Sequence, residues 1–248
     1  MKWSLVVMFS VLSIPLFAQS VIPVGTVLPV ELSSTLRSDK ARVGERVSCR
    51  IMQDVPLPGG SKIRSGARVK GLIISATPAN GGTRAEISIR FDTLAIGKRR
   101  VSMETNLRAM ASKMDVEDAQ VPKTGADRGT PWAWTTRNLI GGEVAYGQGG
   151  PVARGTTVVG EALAEGVLVP VRSASPDGCR GELAGNAAPQ ALWVFSSDAC
   201  GLYGLSNLTL VHAGRTSPLG QITLRSDKGN LKVLAGSGML LRVNESMP

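Results

Sequence analysis

The sequence predicts an all-β protein, mainly antiparallel, built as a small barrel or sandwich with one short connecting helix and a second β-rich segment. From Ile22 onward, runs of about five to eight residues alternate apolar with polar and are punctuated by Gly, Pro, Asn or Asp, which is how strands joined by turns read. Strand follows strand with no long helical period between them, so the crossover helices of a parallel sheet have no place. With 43% of its 248 residues hydrophobic and only 19% charged, the chain has the material for a real core and too little charge for disorder.

The first block holds candidate strands at Val27 to Leu32, Arg46 to Asp54, Ser61 to Ile63, Ala67 to Ala76, Arg84 to Leu94 and Arg100 to Ala109. Val47, Cys49 and Ile51 share one face against Arg46, Ser48 and Arg50. Ile87, Ile89 and Phe91 oppose Glu86, Ser88 and Arg90, and Val101, Met103, Thr105 and Leu107 oppose Ser102, Glu104 and Asn106. Half-buried antiparallel strands produce this period of two.

Residues 111–130 break the rhythm with Lys113, Asp115, Glu117, Asp118, Pro122, Gly125 and Asp127, and read as a mobile connection. Thr130-Pro131 then predicts a helix start, with a capping hydroxyl and Pro at the first helical position, and Trp132, Trp134, Leu139 and Ile140 on related faces. Gly141 and Gly142 stop it. Further strands are predicted at Thr157 to Leu163, Val167 to Arg172, Ala191 to Phe195, Leu205 to His212, Gln221 to Arg225, Leu231 to Leu234 and Met239 to Val243, with turns at Pro218-Leu219-Gly220 and Asp227 to Asn230. Residues 21–110 are thus expected to form a barrel-like domain, 111–155 a linker with the short helix, and 156–248 a second β-rich segment whose last strand can complete the first barrel.

The N-terminus reads as an export signal. Lys2 precedes an apolar run from Trp3 to Phe17, broken only by Ser4, Ser10, Ser13 and Pro15, and Ala18-Gln19-Ser20 follow. The run is shorter than the roughly 20 apolar residues of a spanning helix, and the late Pro and small residues fit cleavage. Residues 1–20 are therefore expected to be a signal peptide cleaved after Ala18, with Ser20 as the other candidate site; left uncleaved, they would be an anchor. The expected location is the periplasm or cell envelope of a bacterium. No later stretch reads as a membrane span, since the apolar Leu139 to Ala164 region carries Glu143, Arg154 and Glu161.

Cys179 and Cys200 lie in the loop-rich second block, where an oxidising compartment favours a disulfide between them. Cys49 sits on the apolar face of its strand, as a buried small hydrophobe does. With one His and no C-x-x-C pair, zinc ligation and redox chemistry lack material, so no metal and no cofactor is expected. His212 has no nucleophile elbow to serve, and Asp115, Glu117 and Asp118 lack the Gly and distal Glu of a calcium loop. No catalytic residue is assigned. Asp39, Asp54, Glu86 and Asp92 are the acids that could pair for glycoside hydrolysis, but spacing favours no pair among them. Trp132, Trp134 and Trp193 read as anchors of a core or interface rather than a sugar platform.

The formal net charge is +9, spread over Arg37, Lys40, Arg42, Arg46, Arg50, Lys62, Arg64, Arg68 and Lys70, with Lys98-Arg99-Arg100 as the one dense cluster. That cluster follows Gly97, where a hairpin should turn. It is a solvated turn on one reading and a polymer-binding patch on the other.

Ile22-Pro23-Val24-Gly25-Thr26-Val27-Leu28-Pro29-Val30, Asp54-Val55-Pro56 with Gly59-Gly60, Ile63 to Gly71, and Ile87 to Leu94 together resemble the TrbI-like β-barrel domain, as does a closing strand of the form Leu231 to Val243. Members of that family are scaffolds of the conjugative type IV secretion core complex. The resemblance implies a barrel fold. Family scaffolds place an inner-membrane helix and a long Pro-rich spacer before the barrel, whereas here the barrel-like part follows the signal directly, so the secretion role carries over less than the fold. The chain is also similar to uncharacterised exported bacterial proteins with the same I-P-x-G-T opening.

The expected function is that of an exported, non-catalytic structural or docking component of a cell-envelope assembly, with other envelope proteins or further copies of itself as partners and no nucleic acid. The alternative is a periplasmic binding module for an anionic or glycan polymer through Lys98, Arg99 and Arg100; a carbohydrate-active hydrolase ranks last.

Overall fold

The period-two runs become strands wherever an apolar face has somewhere to go. A computed structural model describes residues 22–122, 136–147, 149–170, 179 and 188–247. In chain order the strands are β1 (Val27–Leu32), β2 (Leu36–Arg37), β3 (Arg46–Ile51), β4 (Val55–Pro56), β5 (Lys62–Ile63), β6 (Arg68–Thr77), β7 (Glu86–Ile96) and β8 (Arg99–Ala111). Helix α1 (Lys113–Gln120) follows, and then β9 (Thr136–Asn138), β10 (Val144–Tyr146), β11 (Pro151–Arg154), β12 (Thr157–Leu163), β13 (Gly166–Pro170) and β14 (Pro189–Ala191). The chain finishes with β15 (Gly201–Tyr203), β16 (Leu208–Ala213), β17 (Gln221–Ser226), β18 (Lys232–Val233) and β19 (Gly238–Met247). Among the described residues the protein is all-β with one short α-helix.

Six of these strands close an antiparallel barrel in the order β8-β19-β1-β3-β6-β7, which returns to β8 through the pairing of Thr93–Ile96 with Arg99–Ser102. The chain's last long strand thus lies between β1 and β8, with Val30 opposite Met239 and Leu107 opposite Leu241. Closure leaves no edge between these six strands. The start of β7 diverges from β8 and pairs instead with β17, which carries β16 at its outer side; β15 runs parallel to the end of β8. The barrel is filled by Leu28, Val30, Leu32, Cys49, Ile51, Val69, Phe91, Leu94 and Leu241, all fully buried. Phe91 is the largest apolar side chain among them, and its removal to Ala is the kind of change that costs about 3–5 kcal/mol.

A second sheet is a six-stranded antiparallel meander, β14-β13-β12-β11-β10-β9. Its apolar side chains, with Leu192, Trp193 and Phe195 of the following loop, pack on Val27, Ala109, Ala111 and Leu240, which project outward from the barrel. Small residues at 109 and 111 of β8 let the layers approach. One flank of the barrel is therefore a core position.

The helix stands earlier than expected. Residues 113–120, which read as part of a connection, form α1: the Ser112 side chain accepts the Asp115 N–H at 3.1 Å, and Val116 and Ala119 bury against the second core. A capping Ser with an acid three residues on is the local signal that marks this start. Within the predicted helix around 131–140, Thr136–Asn138 is instead strand β9, its backbone partners supplied by the hairpin with β10, and Ile140 bridges the Phe195 segment through Val194 and Ser196. Thr130-Pro131, Trp132 and Trp134 lie outside the described residues, as do the signal segment and Ala18. Of Ala191 to Phe195, only Ala191 belongs to a strand; the chain turns at 193–194, with Trp193 at φ 53°, before Phe195 meets Ile140.

Candidate binding face and buried junction

The β7–β8 hairpin turns at Gly97, whose φ of 59° suits a residue without Cβ, and Ile96 pairs with Arg99 across it. Lys98 sits in the turn and Arg100 on the outer face of β8; Arg99 alternates to the other side of that strand. Register extends the outer face into rows. Arg50 of β3 lies opposite Arg68 of β6, Arg68 opposite Ala95 of β7, and Ala95 opposite Arg100 of β8. One row along, Ser48, Lys70, Thr93 and Ser102 stand side by side in the same four strands, and beyond them Arg46 faces Leu72, itself opposite Arg90.

Directly opposed side chains in a sheet lie about 5 Å apart, so the cations scattered in sequence stand together here. Arg50 is held by Glu31 at 3.2 Å. Among the described residues, Arg46, Arg68, Lys70 and Arg100 have no carboxylate partner. Of the acids nearby, Glu31 is already paired, Asp92 accepts the Thr93 hydroxyl at 2.7 Å, Glu45 beside Arg46 accepts the Arg42 N–H at 3.0 Å, and Glu104 stands two residues beyond Ser102 on β8. Sequence shows Arg46, Ser48 and Arg50 to share a face; which strand lies alongside, and in what register, emerges only on barrel closure.

Four large buried polar side chains lie at or beside the joint between barrel and second sheet. Gln53, just past β3, donates from Nε2 to the Val167 carbonyl at 2.7 Å and accepts the Trp193 N–H on Oε1 at 2.7 Å. Gln190 of β14 accepts the Val27 N–H at 3.3 Å. Arg108 of β8, fully buried, donates to the carbonyls of Ser197 (2.6 Å) and Ala199 (3.1 Å). Glu143, equally buried, accepts the Ser197 N–H at 2.8 Å and the Ser197 hydroxyl, and lies 3.4 Å from the guanidinium of Arg154, which also binds Asp198. A carboxylate taken out of water needs such partners, because its lost hydration is costly.

Cys179 and Cys200 form a disulfide with Cα atoms 6.2 Å apart, and the Cys179 sulfur lies 3.2 Å from the Arg215 guanidinium. Cys49 is a free, fully buried thiol, and burial pushes its pKa far above the ordinary range. The single His is a strand-end residue, with Nδ1 2.6 Å from the Gln221 carbonyl and Nε2 3.2 Å from the Thr216 hydroxyl. The acids considered for hydrolysis each hold their own local partner: Asp39 with Arg37 at 2.7 Å, Glu86 with Arg225 at 2.9 Å, and Asp54 with Lys62 and the Ser65 N–H. The hydrogen bond from Lys62, first, and that from Ser65 hold the Asp54 carboxyl below its usual range. Burial, more than any charge, raises the Tyr203 phenol.

Among the described residues, no group of three or more His, Cys, Asp or Glu side chains is placed to hold a metal ion, and no helix is long and apolar enough to cross a membrane. No family model matches the sequence, and no curated protein matches it.

Proposed function

We propose that this is an exported, non-catalytic docking component of a cell-envelope assembly. The observation that carries this reading is the destination of these buried polar side chains: Gln53 and Gln190 bond directly across the joint between barrel and second sheet, while Arg108 of the barrel and Glu143 of the second layer both hold the 197–199 segment between them. In an enzyme such groups converge on a cleft that receives substrate. Here they fasten two β layers into a unit that presents surfaces. The apolar run at 3–17, the disulfide and the TrbI-like opening support export and a barrel scaffold. The test is the native mass of the mature protein in a gently solubilised envelope extract of its host, read by sizing with cross-linking. Recovery in a discrete complex far above the 26.0 kDa chain supports the reading, and a free monomer overturns it.

A second reading, a binding module for an anionic or glycan polymer, is favoured by the cations that register brings together on β3, β6 and β8, of which Arg46, Arg68, Lys70 and Arg100 have no carboxylate partner among the described residues.

A further inference from the structure

We infer that the outer face of β3, β6, β7 and β8 is a binding site for a carboxylated polysaccharide, laid across the strands; this rests on the polymer-binding reading and names its ligand. The rows are chemically distinct. The first presents Arg50, Arg68 and Arg100, and the second presents three hydroxyls, Ser48, Thr93 and Ser102, around Lys70. At the usual strand spacing, the row from Arg50 to Arg100 spans roughly 14 Å, and the two rows, two residues apart on each strand, lie about 6.6 Å apart. A chain whose carboxylates alternate with hydroxyl-bearing rings fits such a surface: guanidinium groups take the carboxylates in forked hydrogen bonds, and the neighbouring hydroxyls exchange hydrogen bonds with the ring hydroxyls.

The like-charged placement is itself informative. Arg50 directly opposes Arg68, and like charges so placed in a sheet repel. Glu31 relieves Arg50, while Arg68, Lys70 and Arg100 have no carboxylate among the described residues. An anionic ligand removes the repulsion on binding.

The same rows argue against the other anionic partners. A membrane surface is held by cations together with apolar side chains that enter the headgroup region, and a protein partner by aromatic or aliphatic anchors in pockets. The two rows carry Ala95 as their one apolar residue, and Leu72 in the third row is only marginally exposed, at 36%. Hydroxyls flanked by cations suit a hydrated sugar polymer better than either.

The experiment uses the purified mature protein with polygalacturonate, polyphosphate and phosphatidylglycerol vesicles as probes at low and physiological salt. Two variants lose equal charge: Arg68→Ala/Arg100→Ala on the face, and Lys228→Ala/Lys232→Ala at the far turn before and within β18. All four side chains are exposed, so thermal melts should match the parent. The expected result is polygalacturonate binding that weakens with salt, falls at least tenfold in the face variant and less than twofold in the control. Equal loss in both variants overturns the site. Binding of polyphosphate without polygalacturonate overturns the carboxylated ligand but leaves the polymer reading standing; tighter binding to vesicles than to either polymer, or to none of the three, overturns both.

Discussion

The side-chain amide of Gln53 sits astride the joint between the two β layers, its Oε1 taking the backbone N–H of Trp193 at 2.7 Å while its Nε2 reaches the Val167 carbonyl. Trp193 has the left-handed φ of 53° that L-residues avoid, and its indole is 4% exposed in the second core. One amide therefore satisfies two buried backbone groups and pins a turn that the chain would not choose. Gln53→Leu keeps the volume and strands the Trp193 N–H, while the Val167 carbonyl keeps the Leu192 N–H at 3.2 Å; one unsatisfied buried group costs about 1–3 kcal/mol, and a loss of that order is expected in urea unfolding. A loss near zero would show that the joint is not held by this residue.

The sulfur chemistry separates cleanly. Cys179–Cys200 closes a loop across a sequence separation of 21, and loop-closure entropy assigns such a bridge about 3 kcal/mol. Cys179→Ala/Cys200→Ala should lower stability by that order. Cys49, buried and kept protonated, should resist iodoacetamide in the native protein and take one label after unfolding without reductant. Labelling of two or three thiols under those conditions would mean that the bridge is not formed.

Gly71 sits where the backbones of β6 and β7 approach closely. A Cβ built there falls within contact distance of the Arg90 carbonyl oxygen and Phe91 Cα, both backbone atoms, beside the register shift between Lys70 and Gly71. The neighbour cannot rotate away. Gly71→Ala is expected to lower stability by about 2–3 kcal/mol by forcing the strands apart, measured as a downward shift of the thermal midpoint. Gly97→Ala meets no neighbouring atom but puts an L-residue at φ 59°, so its loss of about 1–2 kcal/mol measures backbone strain without a clash and serves as the comparison.

The barrel was largely legible in the sequence because its inward positions alternate strictly: Val47, Cys49 and Ile51 are inside, and Arg46 and Arg50 outside. β1 and β12 match their expected bounds residue for residue. The short strands β9, β10 and β11 went unread because stretches of three or four residues carry too few periods to distinguish strand from turn, and Gly141, Gly142 and Gly149 look only like breaks. The binding face was half legible. Polar alternation puts the cations outward, but Arg50, Arg68 and Arg100 are 50 positions apart from first to last, and only register makes them neighbours. The junction was not legible at all: nothing around Gln53 or Arg108 distinguishes a side chain that faces a second layer from one that faces water.

The β4–β5 hairpin carries a pH-dependent contact. Asp54 accepts hydrogen bonds from Lys62 and from the Ser65 N–H at 2.8 Å, and its carboxyl is held below the usual value near 3.9. The folded state therefore binds this proton more weakly than the unfolded chain. The stabilisation is complete above the unfolded value and disappears as pH falls through the lower folded one. Both side chains are partly solvated, 29% exposed for Asp54 and 47% for Lys62, so screening limits the effect to about 0.5 kcal/mol. Asp54→Asn should be less stable than the parent by that amount at pH 7, and the gap should close toward pH 2. Added salt should narrow the gap at pH 7, because part of the contact is a charge pair reached by solvent. A difference that stays constant from pH 7 to pH 2 would assign the effect to packing of the hairpin and not to the ionised carboxylate.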